Sequence, residues 1–186
     1  MRRFAVAMTV LVSVLLCGCR VESDTMQTVL DFRTELANAG GCSFTAAVEA
    51  DYGDRVYSFT LDCRYDGKDG YLTVVEPAEL CDISAKVDGS SSELSFDGAV
   101  LEYGPLANGY VAPLSVPWLL PSAWKGDYIS SAGQTDEGVL ATYLKGYHDE
   151  ELVLRTLFSQ GVPICAEVDS GGRRVLLIQI TNFALK

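Results

Sequence analysis

The chain has 186 residues, the size of one domain, and its excess of Asp and Glu over Lys and Arg gives a net charge of −11. Because it holds no run of basic residues, it lacks the surface that neutralises nucleic-acid phosphates, and its 48% hydrophobic content excludes wholesale disorder. The single histidine, His148, leaves little room for histidine-rich metal sites or for most general-base mechanisms.

The first nineteen residues have the pattern of a bacterial lipoprotein signal. Two arginines precede an uncharged apolar run over residues 4–16, which is shorter than the ~20 residues that span a hydrocarbon core. The sequence Leu16-Cys17-Gly18-Cys19 resembles a lipobox, whose last cysteine becomes the lipidated N-terminus. It predicts a signal peptide over residues 1–18 and acyl chains, palmitate among them, on Cys19. An uncleaved N-terminal anchor or ordinary secretion is the alternative.

Removal of residues 1–18 changes what holds the protein at a membrane. Two of the lost residues are arginines, so the net charge falls from −11 by two units to −13. Anionic headgroups repel such a body, whereas each buried acyl CH₂ contributes about 0.8 kcal/mol to membrane binding. No later segment approaches ~20 uninterrupted apolar residues. We therefore expect an exported protein on the outer face of the cell membrane, with a tether over residues 19–24 and one domain over residues 25–186.

One helix is predicted at the start of the domain. Ser23 or Asp24 suits the N-cap position, and Gly40-Gly41 suits the end. Apolar residues between these limits recur every three or four positions, namely Met26, Val29, Leu30, Phe32, Leu36 and Ala37. The pattern is typical of an amphipathic helix that packs on a sheet of its own domain.

From Cys42 onward the apolar period is two, which predicts about eleven strands. Their expected ranges are 42–52, 57–65, 71–76, 83–87, 93–96, 99–103, 127–131, 139–147, 152–158, 163–168 and 173–185. Most connections are short enough for neighbouring strands to pair antiparallel, and no βαβ rhythm or internal repeat occurs. The last strand is apolar on both faces, so we expect both to be covered by a curled sheet, with the helix filling its concave side.

The segment between the sixth and seventh strands differs from the rest of the chain. Pro113, Pro117 and Pro121 argue against a long helix, so we predict one or two short turns carrying exposed aromatic residues. Such a surface could gate a hydrophobic cavity or anchor a partner. The candidate binding residues are Trp118, Leu119, Leu120 and Trp124. The alternative is that these side chains cap the core at one end of the sheet.

Four cysteines remain once Cys17 leaves with the signal and Cys19 takes the lipid. Four cysteines in an exported domain suggest two disulfides among three possible pairings. With the turn centred on residues 52–53, Cys42 lies opposite Cys63, and with the centre at 53–54 the two form a diagonal pair on one face. We favour Cys42–Cys63, which leaves Cys81–Cys165. Free buried thiols are the alternative, and a four-thiol metal site lacks any CxxC pair.

The sequence holds no GxSxG, HExxH or phosphate-loop motif. His148 beside Asp149 and Glu151 could serve as a general base or metal ligand, but a polar hairpin turn accounts for the same residues. Glu76 and Glu79 straddle Pro77 in the manner of a strand-end loop. We therefore predict no catalytic activity, no metal and no cofactor.

The order of these elements resembles that of the LolA/LolB-type lipoprotein-carrier superfamily. A lipobox, one helix, about eleven strands and a proline-rich interruption near the middle follow one another as in that family. The turn Asp97-Gly98 followed by residues 99–103 and the ending over residues 171–183 are similar as well. Lipid-anchored clostridial (Firmicutes) members, including a spore-germination lipoprotein that acts through a cell-wall amidase partner, look closer to the chain than the soluble periplasmic carrier.

The resemblance implies a mainly β fold with one N-terminal helix, in which a single curved antiparallel sheet of about eleven strands forms a half-barrel around a helix. It implies a non-catalytic, membrane-anchored protein that binds a lipid, an acyl chain or a partner segment in the concave face of the sheet. That function needs an open apolar cavity of roughly 300–1,000 Å³ near Trp118 and Trp124. The alternative is a protein-binding scaffold that regulates a cell-envelope enzyme through its outer surface, a role that a helix-filled concave face would favour.

Overall fold

The computed structural model describes residues 24–89, 91–103, 112–146 and 152–186. Helix α1 spans residues 24–39, and helix α2, Val116–Gly126, lies between the sixth and seventh strands. The strands are β1 (Cys42–Asp51), β2 (Val56–Tyr65), β3 (Gly70–Glu76), β4 (Ser84–Val87), β5 (Ser92–Phe96), β6 (Ala99–Tyr103), β7 (Tyr128–Gln134), β8 (Val139–Lys145), β9 (Leu152–Ser159), β10 (Val162–Ser170) and β11 (Arg173–Leu185).

The eleven strands form one open, curved antiparallel sheet in the order β6-β5-β4-β3-β2-β1-β11-β10-β9-β8-β7. The predicted fold class is therefore confirmed. Both helices pack on one face, which we call the concave face, and we call the opposite one the outer face. Of the strands, β6 and β7 are the edges, and β1 and β11 join the two halves of the chain at the middle of the sheet.

Helix α1 forms where the apolar spacing predicts it. Val29, Phe32 and Leu36 lie on one stripe and are buried against the sheet. The helix ends at Gly40, whose φ of +81° suits a residue without a Cβ and whose N–H donates to the carbonyl of Leu36. The predicted amphipathic helix is thereby confirmed, but Leu30 and Ala37 of the predicted stripe are exposed to solvent.

Helix α2 contradicts the expected short turns with exposed aromatic residues. A 3₁₀ turn over Pro113–Ser115 leads directly into eleven helical residues. Pro117 lies in the first turn of the helix, where a backbone N–H has no intrahelical acceptor, so it removes no hydrogen bond. Only Pro121 removes one, and burial of the apolar face outweighs that loss.

Strand β11 changes face near its end. Leu176, Ile178 and Ile180 point into the concave core, as the alternation predicts. Asn182 then adopts a φ of +52° beside an irregularity in the pairing with β1, and Phe183 turns inward to pack on Phe32. The expectation that both faces of β11 are covered is therefore wrong at Leu177, which lines an open groove on the outer face.

The predicted disulfides are not present, because all four described cysteines are free thiols. Cys42 faces Tyr65 rather than Cys63, so the two cysteines form the diagonal pair of the alternative register. Cys81 follows β3 and Cys165 lies on β10, with β2, β1 and β11 between these strands. Burial raises the pKa of Cys42 to about 12 and also raises that of Cys63, so both thiols stay protonated.

None of the helices in the described ranges is long and apolar enough to cross a membrane.

Candidate functional site

The helices cover the concave face only as far as β4. Directly opposite residues share a face, so the register defines a row across five strands: Cys63, Leu72, Ala85, Leu94 and Leu101. Burial falls steadily along this row. Leu72 on β3 is 3% exposed, Leu94 on β5 is half-buried, and Leu101 on β6 is 52% exposed.

A second concave row shows the same loss of cover. Val74 on β3 is 4% exposed and its N–H donates to the carbonyl of Ile83, which is half-buried. Phe96 on β5 continues the row and is 45% exposed, opposite the exposed Ala99 on β6. We call Ile83, Leu94, Phe96, Ala99 and Leu101 the concave patch. Its apolar side chains emerge from under the helices at the β6 edge of the sheet.

The position of α2 explains where the cover ends. At its N-terminal end the backbone of Pro117 and Trp118 lies so close to Gly70 that a Cβ on this glycine would be 2.6 Å from the Trp118 nitrogen. The indole of Trp118 lies over Gly89, in the turn between β4 and β5. From there the helix runs towards β8, away from β5 and β6.

The C-terminal end of α2 is held by α1. Arg33 donates from Nε to the carbonyl of Trp124 and from Nη2 to the carbonyl of Asp127, both at 2.7 Å. Lys145 forms a salt bridge of 3.2 Å with the Asp127 carboxylate. The two Arg33 bonds satisfy carbonyl groups that the helix end would leave without intrahelical partners.

The interior between the helices and the middle of the sheet is filled by aromatic rings. The Trp124 ring centroid lies 5.7 Å from that of Phe32, and 6.1 Å from those of Phe44 and Phe183. Its Nε1–H donates to Thr156 Oγ1 at 2.9 Å, so the one polar atom of the indole is satisfied. The space beside Trp124, where the resemblance implies an open cavity, is therefore occupied by these rings. The concave patch, in contrast, offers accessible apolar side chains on the same face of the sheet.

Tyr143 on β8 belongs to the same interior. Burial raises the pKa of its phenol above the ordinary value, and its Oη has no hydrogen-bond partner among the described residues. The Arg33 guanidinium lies 5.9 Å from the centre of the ring. Tyr143 is therefore a neutral core side chain beside the helix–helix contact.

Three of the four predicted binding residues lie in the core. Leu119, Leu120 and Trp124 are fully buried. Trp118 is half-buried, and Lys145 Nζ lies 4.8 Å from the centre of its ring. Their arrangement matches the alternative interpretation, a cap on the core, and ligand contact at these residues stays a prediction.

The other candidates are dispersed or lie outside the described residues. Cys19, His148, Asp149 and Glu151 fall outside the described ranges. Glu76 accepts a hydrogen bond from Thr60 Oγ1, and no group of three metal-ligating side chains occurs in the described part of the chain.

The outer face carries an open groove of about 720 Å³. Its described lining comes from β1, β2, β3, β11 and the two residues that follow β3, and includes Ala47, Glu49, Thr60, Glu76, Pro77 and Leu177. We call this depression the outer groove. It lies on the side of the sheet opposite to both helices.

Sequence reasoning missed both the concave patch and the outer groove. A signal for the patch was present, because apolar residues alternate on both sides of the turn Asp97-Gly98, at Leu94 and Phe96 and again at Ala99 and Leu101. The alternation could not predict at which strand α2 stops covering the concave face.

The solved structures similar to this chain have low sequence identity to it. A LolA superfamily protein from Nitrosomonas europaea is 12% identical with a TM-score of 0.47, over 87% of this chain and 94% of that one. A putative outer membrane lipoprotein-sorting protein domain from Vibrio parahaemolyticus is 7% identical with a TM-score of 0.49, over 89% and 93%. An uncharacterized conserved protein from Thermus thermophilus is 10% identical with a TM-score of 0.48, over 87% of each chain. Neither a family model nor a curated protein matches the chain.

Proposed function

We propose that the protein is a non-catalytic, membrane-anchored lipoprotein that holds an apolar ligand, a lipid or acyl chain, on the concave face of its sheet. Removal of the signal peptide over residues 1–18 would leave Cys19 as the lipidated N-terminus, whose acyl chains would fix the protein to the outer face of the cell membrane, with residues 19–24 as tether. A tethered protein holds its ligand at one membrane instead of carrying it between two.

The observation that carries this proposal is the incomplete cover of the concave face. Leu94, Phe96 and Leu101 continue the rows of the core beyond the helices and remain accessible. The patch extends the concave face from β4 to β6, about 10 Å across two strand spacings. Apolar area of this kind is the complement of a hydrocarbon chain, because its removal from water is favourable on both sides.

Binding of a fluorescent fatty acid tests the proposal. The full chain is titrated with cis-parinaric acid, and we expect Leu101→Ser to weaken binding at least tenfold. Loss of a buried leucine contact costs about 1.5–3 kcal/mol, and about 1.4 kcal/mol corresponds to a factor of ten. Phe96→Ser should act in the same direction.

Val100→Ser is the matched control. Val100 neighbours Leu101 in β6 and is 62% exposed, but it points to the outer face. We expect it to change the affinity by less than about twofold. Absence of binding by the unaltered protein, or an equal loss in Val100→Ser and Leu101→Ser, would contradict a ligand on the concave patch.

The anchor has its own test in metabolic labelling with an alkyne analogue of palmitate. We expect Cys19→Ala to lose the label and to leave the membrane fraction, because the acyl chains on Cys19 would be the attachment of the protein to the membrane. Cys17→Ala, two residues away in the signal peptide, should keep both. A labelled Cys19→Ala protein that stays in the membrane fraction would show that another group is the anchor.

The second candidate is a protein-binding scaffold that regulates a cell-envelope enzyme through its outer surface. The outer groove favours it, since this open depression of about 720 Å³ presents both apolar and acidic side chains to a partner. The resemblance to lipid-anchored clostridial proteins, among them one that acts through a cell-wall amidase, points the same way. Absence of fatty-acid binding would contradict the first candidate, and binding of a partner segment in the outer groove is then the test of the second.

A further inference from the structure

We infer that the outer groove binds a short extended segment of a partner protein that carries Lys or Arg beside small or apolar residues. The inference rests on the second candidate function and names the chemistry of its partner. It is independent of the concave patch, because the groove lies on the opposite face of the sheet.

The floor of the groove is built from uncharged side chains at the middle of the sheet, with the small Ala47 at its centre. Ala47 on β1 lies directly opposite Thr60 on β2 and Gln179 on β11, and all three line the groove. With β3 at one side, the floor crosses four strands, about 14 Å at 4.8 Å per spacing. An extended segment of four or five residues has this length.

A partner can contact the side chains of the outer groove but cannot add a strand to the sheet there. Strands β1 and β2 are interior strands, so their backbone groups pair with β11, with each other and with β3. A ligand cannot extend the sheet here, and recognition must come from side chains of the groove. Val75, Pro77 and Leu177 supply apolar surface for that purpose.

The charge of the groove selects the sign of the partner. Glu49 and Glu76 line it, and no Lys or Arg is among its described lining residues. The guanidinium of Arg174 is bonded to Glu167 at 2.9 Å and interacts with Glu49 only over a longer distance, without an ion pair. The chain as a whole carries a net charge of −11, so its long-range field attracts a cationic segment and repels an anionic headgroup.

Selection from a randomised heptapeptide library on phage, with the full chain as bait, tests the inference. We expect the enriched peptides to contain Lys or Arg together with Ala, Val or Leu. The synthetic form of the best peptide should bind Glu49→Lys at least tenfold more weakly, as measured by fluorescence anisotropy. Ala47→Trp places a large ring on the floor of the groove and should weaken binding by at least the same factor.

Glu102→Gln is the control, because Glu102 lies on the outer face at β6, outside the groove. It should leave the affinity unchanged within about twofold. Peptides that bind in the groove but are neutral or acidic would overturn the inference and leave the scaffold function standing. Failure to select any peptide sensitive to Ala47→Trp would overturn both.

Discussion

Replacement of Trp124 by alanine is expected to lower the free energy of unfolding by about 4 kcal/mol, the range for deletion of a large buried aromatic side chain. Trp124 is fully buried and its ring contacts Phe32, Phe44 and Phe183. The cavity would lie where α1, α2 and β11 meet, so the surrounding structure can close it only by moving a helix. Urea unfolding followed by circular dichroism gives the value.

Trp118 provides the matched control, since it is the same residue type in the same helix but half-buried. Trp118→Ala should lower the free energy of unfolding by about 1–2 kcal/mol. The indole is partly in contact with water in the folded protein, and its removal eliminates mainly the contacts with Gly89 and Lys145. Trp124→Phe separates packing from hydrogen bonding, since it keeps a ring and removes the donor to Thr156. Equal losses for Trp118→Ala and Trp124→Ala would contradict the assignment of Trp124 to the core.

Elements with a strong period could be predicted from the sequence. The stripe of α1 and the eleven strands appear in the structure at nearly the expected positions, because in all of these elements except β11 the apolar pattern marks one face for the core. Short connections then leave one simple antiparallel order, and the observed sheet follows it.

The misassigned elements are those in which tertiary packing outweighs a local rule. Three prolines made α2 look like turns, yet only Pro121 removes a hydrogen bond within the helix. At Asn182 a bulge turns Phe183 into the core, and a strict period of two cannot anticipate one extra residue. The predicted Cys42–Cys63 pair required a β1–β2 turn centred on residues 52–53. The turn is centred on residues 53–54 instead, so Cys42 lies opposite Tyr65.

The candidate site shows the same division. The apolar alternation of β5 and β6 was visible in the sequence, but the concave patch exists because α2 crosses from β4 towards β8, so that neither described helix covers that corner. The contact of Trp118 with the β4–β5 turn depends on Gly89, where a Cβ would be 2.9 Å from the indole. Which part of the concave face is shielded from solvent depends on where α2 lies. That position depends on single contacts, which leave no periodic pattern in the sequence.

Loss of the Arg33 side-chain bonds is expected to have the second large effect, because they hold the end of α2 on α1. Arg33→Met keeps an unbranched side chain of similar length and removes both donors to the carbonyls of Trp124 and Asp127. Hydrogen bonds to a charged group contribute about 1.5–3 kcal/mol each, and we expect a loss of about 3 kcal/mol in the free energy of unfolding. Amide hydrogen exchange should accelerate first over residues 123–129.

Arg64→Met is the control for removal of an arginine as such. Arg64 is exposed, and its guanidinium lies 4.3 Å from the ring centre of Tyr71 on the outer face, so we expect a change below about 1 kcal/mol. Arg33→Lys keeps the charge at the end of α2 but not the two-pronged donor, so an intermediate loss is expected. If Arg33→Met unfolds like Arg64→Met, then the Arg33 bonds do not hold α2. The packing of Trp124 and the contacts of Trp118 with Gly70 and Gly89 would then determine where α2 lies and how far the concave patch extends.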